Sequence, residues 1–136
     1  MVKEIIHDQF RLSLKSRAAT KDDITVAENL QDTLIANREI CVGLAANMIG
    51  ENVSIITFAV NNGYMTMFNP EIIKVEGVYD TEEGCLSLVG KRSTKRYKKI
   101  KVKFQTADMK WRIQSFEGYT AQIIQHEVDH CNGIII

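Results

Sequence analysis

Two segments of this sequence hold residues that can do chemistry together: Gln125-His126-Glu127-Val128-Asp129-His130 and, well upstream, Glu83-Gly84-Cys85-Leu86-Ser87. The first contains the pattern H-E-x-x-H. On a helix, His126 and His130 stand one turn apart on a shared face, where both imidazoles can reach one metal ion. Glu127, beside the first of them, is placed to take a proton from a water that the ion activates. Cys85 offers a third ligand, and three protein ligands leave a fourth position open, as catalytic metal sites do. The chemistry this points to is metal-assisted hydrolysis. H-E-x-x-H alone fixes only three residues and occurs by chance on surface helices, so the pattern by itself leaves metal binding open. Ile123, Ile124 and Val128 surround the histidines and make the segment a core helix. Histidines in a core helix need partners, because unsatisfied buried polar groups are costly, and a metal ion is an economical one.

These residues need a scaffold. A final helix is predicted from Gly118 to Cys131, ended by Asn132-Gly133. An earlier helix is predicted from Thr20 to about Arg38, with Ile24, Ala27, Leu30, Leu34 and Ile35 at helical spacing. Thr20 and Asp23 approximate a capping box at its start. Strand-like runs cover 54–60, 64–68, 72–78, 100–106 and 111–116, with hairpin turns at Asn61-Asn62-Gly63 and Asp108-Met109-Lys110. The pattern predicts an α+β fold, mostly antiparallel sheets around a central metal-bearing helix, in a single domain over 1–136.

Three segments in order, Gly43-Leu44-Ala45-Ala46, Glu83-Gly84-Cys85-Leu86-Ser87 and Gln125-His126-Glu127-Val128-Asp129-His130, resemble the signature motifs of the peptide deformylase family. Asn69-Pro70-Glu71-Ile72 resembles a stretch those enzymes carry between the first two. The resemblance implies hydrolytic removal of the N-formyl group from nascent peptides that begin with formyl-methionine. It implies Cys85, His126 and His130 as metal ligands, Glu127 as general base, and the Leu86 backbone N–H as donor to the oxyanion. It places Gly43, Leu44, Met48, Tyr119 and Ile123 along the substrate cleft, and pairs Arg96 with Glu83. Ferrous iron is the implied ion, with nickel or cobalt as substitutes; one thiolate and two imidazoles also suit zinc. The first motif departs from the family pattern. Cys41 stands in place of a glycine, and Met48 in place of a glutamine whose amide donates to the oxyanion. Methionine has no donor, and losing one such donor costs about a hundredfold to a thousandfold in turnover. Reduced activity is therefore expected. The alternative is a weak or inactive paralogue that binds metal and peptide N-termini, against which stands the retained Glu127. An ordinary zinc peptidase built on H-E-x-x-H would need a ligand downstream of His130, where six residues remain.

Composition excludes several other classes. The chain has 136 residues, 45% apolar and 25% charged, with zero net charge, so no overall field recruits nucleic acid or membrane. The polar start is unlike a secretory signal, and no apolar run has the length of a membrane span. Three cysteines at scattered spacings argue against a disulfide framework and for a reducing cytoplasm. Cys131, turned about 100° from His130, is expected to pack in the core. His7 is expected to be a solvated surface residue. The basic stretch from Lys91 to Lys103 has two readings, a contact for ribosomal RNA or the solvated side of a strand, and the alternation of Lys99, Lys101 and Lys103 with Ile100, Val102 and Phe104 favours the second. Because the chain stops at Ile136, ribosome association through a C-terminal extension is not expected.

Overall fold

A computed structural model describes residues 1–136. A short turn of helix, α1 (Gln9–Leu12), leads to α2 (Ile24–Ala36). Five strands follow, β1 (Gly43–Ala45), β2 (Ile55–Val60), β3 (Gly63–Cys85), β4 (Leu88–Gln105) and β5 (Trp111–Glu117), and α3 (Gly118–Cys131) closes the fold. The strands form one antiparallel sheet in chain order, so every connection within it is local. A lone parallel bridge joins Arg17 to Val53. The α+β prediction holds, with one long, irregular sheet where several were expected.

The start of α2 follows from its sequence. Thr20 accepts from the Asp22 amide, and the Asp23 carboxylate accepts from the Thr20 amide at 2.8 Å, completing the capping box around a 3₁₀ turn, Lys21–Asp23. Ala27, Leu30, Thr33 and Leu34 turn to the core, whereas Ile24, predicted to be inside, is exposed. A helix with one apolar stripe lies on the surface. α3 is different. Its residues from Ile123 to Val128 are all buried, together with Ala121, His130 and Cys131, so it runs through the interior with contacts to all five strands. Ile124 and Val128 join Leu30, Leu34, Leu44, Ile56 and Phe58 in one apolar core, where Phe58 meets Phe116 edge to face. Cys131 packs there as expected.

The runs expected at 64–68 and 72–78 are parts of the single strand β3. A register shift between Phe68 and Glu71 separates them, where Asn69 adopts φ 52, and a further shift falls between Ile72 and Lys74 within the second run. Asn69 holds that bend with its side chain. Its Nδ2 donates to the Ala19 carbonyl and Gln105 Oε1, and its Oδ1 accepts from the Ala19 amide at 2.7 Å. The strand expected at 100–106 likewise extends back to Leu88. β3 and β4 thereby make a long hairpin whose end carries Cys85.

Candidate metal centre and cleft

α3 places His126 and His130 at positions i and i+4, and their Nε2 atoms lie 3.2 Å apart. The end of β3 brings Cys85 Sγ to 3.3 Å from His130 Nε2. The three ligand atoms all fall within 4.8 Å of one another. Three soft or borderline donors turned toward a common point, with no fourth side chain among them, fit one divalent ion with an open coordination position.

A second layer of side chains holds this set. His126 Nδ1 donates to Glu83 Oε1 at 2.8 Å, which leaves Nε2 as the lone-pair donor. Glu83 is gripped by Arg96, whose Nη2 donates at 2.7 Å and whose Nε donates to both carboxylate oxygens. Arg96 Nη1 reaches Asp129 Oδ2 at 2.7 Å, and Gln122 Nε2 donates to Glu83 Oε2 at 2.9 Å. The expected Glu83–Arg96 pair is therefore present within a larger network. Sequence reasoning missed Asp129 and Gln122, and it assigned no role to Gln125, whose amide bonds both the N–H and the carbonyl of Tyr97 and ties α3 to β4. Asn47, next to Met48, donates to the His130 carbonyl at 2.8 Å.

Burial and charge tune these groups against one another. Desolvation works to raise Glu83, but hydrogen bonds from His126, Arg96 and Gln122 bring it down to about 2. Burial drives His130 down to about 3, with charge on His126 adding to the effect. Burial opposes charge on His126 as well, yet hydrogen bonds with Cys85 and Glu83 lift it to about 10. Burial pushes Glu127 up to about 7, the range in which a carboxyl both takes and gives protons near neutral pH.

Above the centre lies a cleft of about 500 Å³ lined by Cys41, Gly43, Met48, Cys85, Leu86, Tyr119, Ile123, His126 and Glu127, among others. Glu127 is only 4% exposed, and its Oε1 has no hydrogen-bond partner. Gly43 is required by packing. A Cβ there would lie 2.8 Å from Ile123 Cγ2 and 3.0 Å from Glu127 Oε2, so glycine lets α3 bring its carboxylate against β1. Met48 is buried, and its Sδ accepts from the Ala45 amide at 3.4 Å. Tyr119 stands exposed at the rim and Ile123 is buried in the wall. Leu44, expected in the cleft, is fully buried in the core and does not line it, because alternation along β1 turns its side chain the opposite way from Gly43. Cys41 lines the cleft with its thiol on the Gly43 carbonyl, and burial pushes it up to about 11. His7 also departs from expectation. It is exposed but not unpartnered, since Nδ1 lies 2.9 Å from the Ser87 carbonyl.

Comparison with known proteins agrees with this geometry. The family model described as polypeptide deformylase matches residues 3–136. A peptide deformylase of Clostridium beijerinckii is 53% identical over 136 residues, covering 100% of both chains. One from Thermoanaerobacter pseudethanolicus is 38% identical over 113 residues, 82% of this chain and 70% of that one. Among solved structures, peptide deformylase from Thermotoga maritima superposes with a TM-score of 0.88 at 30% identity, covering 99% of this chain and 95% of that one. The actinonin-bound class I type b peptide deformylase of Acinetobacter baumannii gives 0.88 at 29% identity, with the same coverage.

Proposed function

The chain belongs to the polypeptide deformylase family, and on that premise we propose that it hydrolyses the N-formyl amide of nascent peptides beginning with formyl-methionine. The observation that carries the reading is the convergence of Cys85, His126 and His130 beside the buried, half-unpartnered carboxylate of Glu127, at the floor of an open cleft. Cys85, His126 and His130 would hold one divalent ion, with ferrous iron as the working ion and zinc, nickel or cobalt as alternatives the same donors accept. When bound, the ion supplies Lewis acidity, bringing the pKa of a water toward about 7 and polarising the formyl carbonyl.

The remaining work falls to the chain's own residues. Glu127 accepts the proton of the attacking water and returns it to the departing amine, a shuttle favoured by its dry setting. Glu83 fixes the ring of His126, and Arg96 fixes Glu83. The Leu86 backbone N–H, at the turn beyond Cys85, donates to the oxyanion. β1 is the edge strand of the sheet, so an extended peptide can lie along it with its first side chain between Leu86, Tyr119 and Ile123. Met48 borders this space without a donor, which lowers the rate relative to a site with two. It is also the one feature that favours the second reading, a weak or inactive paralogue that binds metal and peptide N-termini.

Residues 1–136 act as one catalytic domain, supported by a core to which α2, the sheet and α3 all contribute. The cytoplasm is the compartment consistent with three free cysteines. No helix is long and apolar enough to cross a membrane. Proximity to the ribosome would be transient and would follow from the substrate. The basic stretch of β4 is largely matched across the sheet, Lys95 opposite Asp80, Lys99 between Glu76 and Glu117, and Lys103 opposite Glu71, which supports the solvated-strand reading. Release of formate from a formyl-Met-Ala peptide by the iron- or nickel-loaded protein tests the proposal. Peptide binding without release would select the second reading.

A further inference from the structure

We propose that His7 is a positioning residue for the turn that carries Cys85, and that the N-terminal segment thereby sets the geometry of the centre. The inference rests on the deformylase reading of that centre. Leu86 and Ser87 form the two-residue connection between β3 and β4, with Cys85 opposite Leu88. Tight connections of this length favour turns whose first central residue has positive φ, because those match the twist of the strands. Leu86 has no such conformation; the non-glycine residues with positive φ are Asn69 and Met109. The ladder also slips between Gly84 and Cys85, and Gly90 turns at φ 80 just beyond. Local preferences therefore leave the position of Cys85 weakly specified.

The N-terminal segment supplies the missing constraint. His7 Nδ1 lies 2.9 Å from the Ser87 carbonyl, and since a carbonyl can only accept, the ring donates. No other hydrogen bond from outside the hairpin reaches Leu86 or Ser87. The adjacent residue ties to the facing wall, Ile6 N donating to the Met48 carbonyl at 2.8 Å. Arg11 Nη2 anchors the same wall at the Gly50 carbonyl, and Ile5 and Ile6 pack against the core. Two consecutive residues thus join the walls that carry Met48 and Cys85, both of which line the cleft. A turn released from His7 shifts the Cys85 thiolate and the Leu86 N–H together.

The test compares His7→Phe, which keeps a ring and removes the donor, with His7→Asn, whose amide can restore a donor at the place of Nδ1. Cobalt(II) affinity is measured by competition with a chelator, alongside the thiolate-to-cobalt absorption band, metal-free melting, and kcat and KM for a formyl-Met-Ala peptide. We expect His7→Phe to bind cobalt about three- to tenfold more weakly, with an altered band, lower kcat, KM within about twofold and unchanged metal-free melting. His7→Asn should recover most of the loss. Wild-type affinity and spectrum in His7→Phe, equal impairment in both variants, or a loss that tracks lower melting would each overturn the proposal. Because cobalt affinity and spectrum need no turnover, a wild-type protein without deformylation would contradict the functional reading and leave this result separate.

Discussion

Three positions bear most on how well this centre works. Met48 is buried beside the cleft and offers only a sulfur that accepts. Met48→Gln should raise kcat toward the hundredfold to thousandfold that one oxyanion donor is worth, roughly, with little change in KM. An unchanged kcat would place the limit elsewhere. Arg96 is the second. It is 4% exposed and forms ion pairs with both Glu83 and Asp129. Arg96→Ala removes the cationic partner of both carboxylates, and breaking a buried pair costs about 3–5 kcal/mol. Lower melting and lower metal content are expected, and full metal retention would remove Arg96 from the account. Gly43 is the third, since any side chain there collides with Ile123 and Glu127.

The convergence of the candidate ligands was legible in the sequence, His126 and His130 because their spacing is a helical period and Cys85 because of its motif. Their supports were not. Gln122, Asp129 and Asn47 earn their roles from partners 39, 33 and 83 positions away, and neither composition nor periodicity reports such partners. His7 was misread for the same reason, its acceptor lying 80 positions along the chain.

Among the elements, those with strong local signals were found nearly to the residue. α3 runs from Gly118 to Cys131 as expected, because a core-flanked run ends at Gly133, whose φ of 75 suits glycine. The hairpin at Asn61-Asn62-Gly63 is equally local. The long hairpin was not legible between Tyr79 and Lys98. That stretch is charged, and its buried positions Glu83 and Arg96 are themselves polar, so no apolar alternation marks it, and the bend at Asn69 divided β3 into two apparent strands. The start of α2 offers a test of pH. Arg17 grips Asp23 through two hydrogen bonds of 2.8 and 3.0 Å, and holds its carboxyl below the ordinary range. A carboxyl lowered in the folded state contributes its full stability above the unfolded pKa, about 3.9, and loses it as pH falls through the folded value. Asp23→Asn should therefore melt below wild type at about pH 6, and the gap should close toward about pH 3. A gap independent of pH would show that charge is not what Asp23 contributes.

For the molecule as a whole, an ion held by the interior helix would be coupled to the fold. α3 is buried nearly all round and brings two imidazoles to within 3.2 Å of each other. An ion that binds only the folded centre stabilises it by about 4 kcal/mol at a thousandfold excess over Kd. Chelation should lower the melting temperature by several degrees, and readdition of iron, nickel or zinc should restore it. Identical melting with and without metal would separate the centre from the fold.

The central claim is that Cys85, His126 and His130 hold the ion while Glu127 moves the proton. Formate release from a formyl-Met-Ala peptide, with metal content measured in parallel, tests it in the wild-type protein and in Glu127→Ala. The account predicts one ion per chain in both and turnover in the wild type alone. Equal turnover in the two would contradict it.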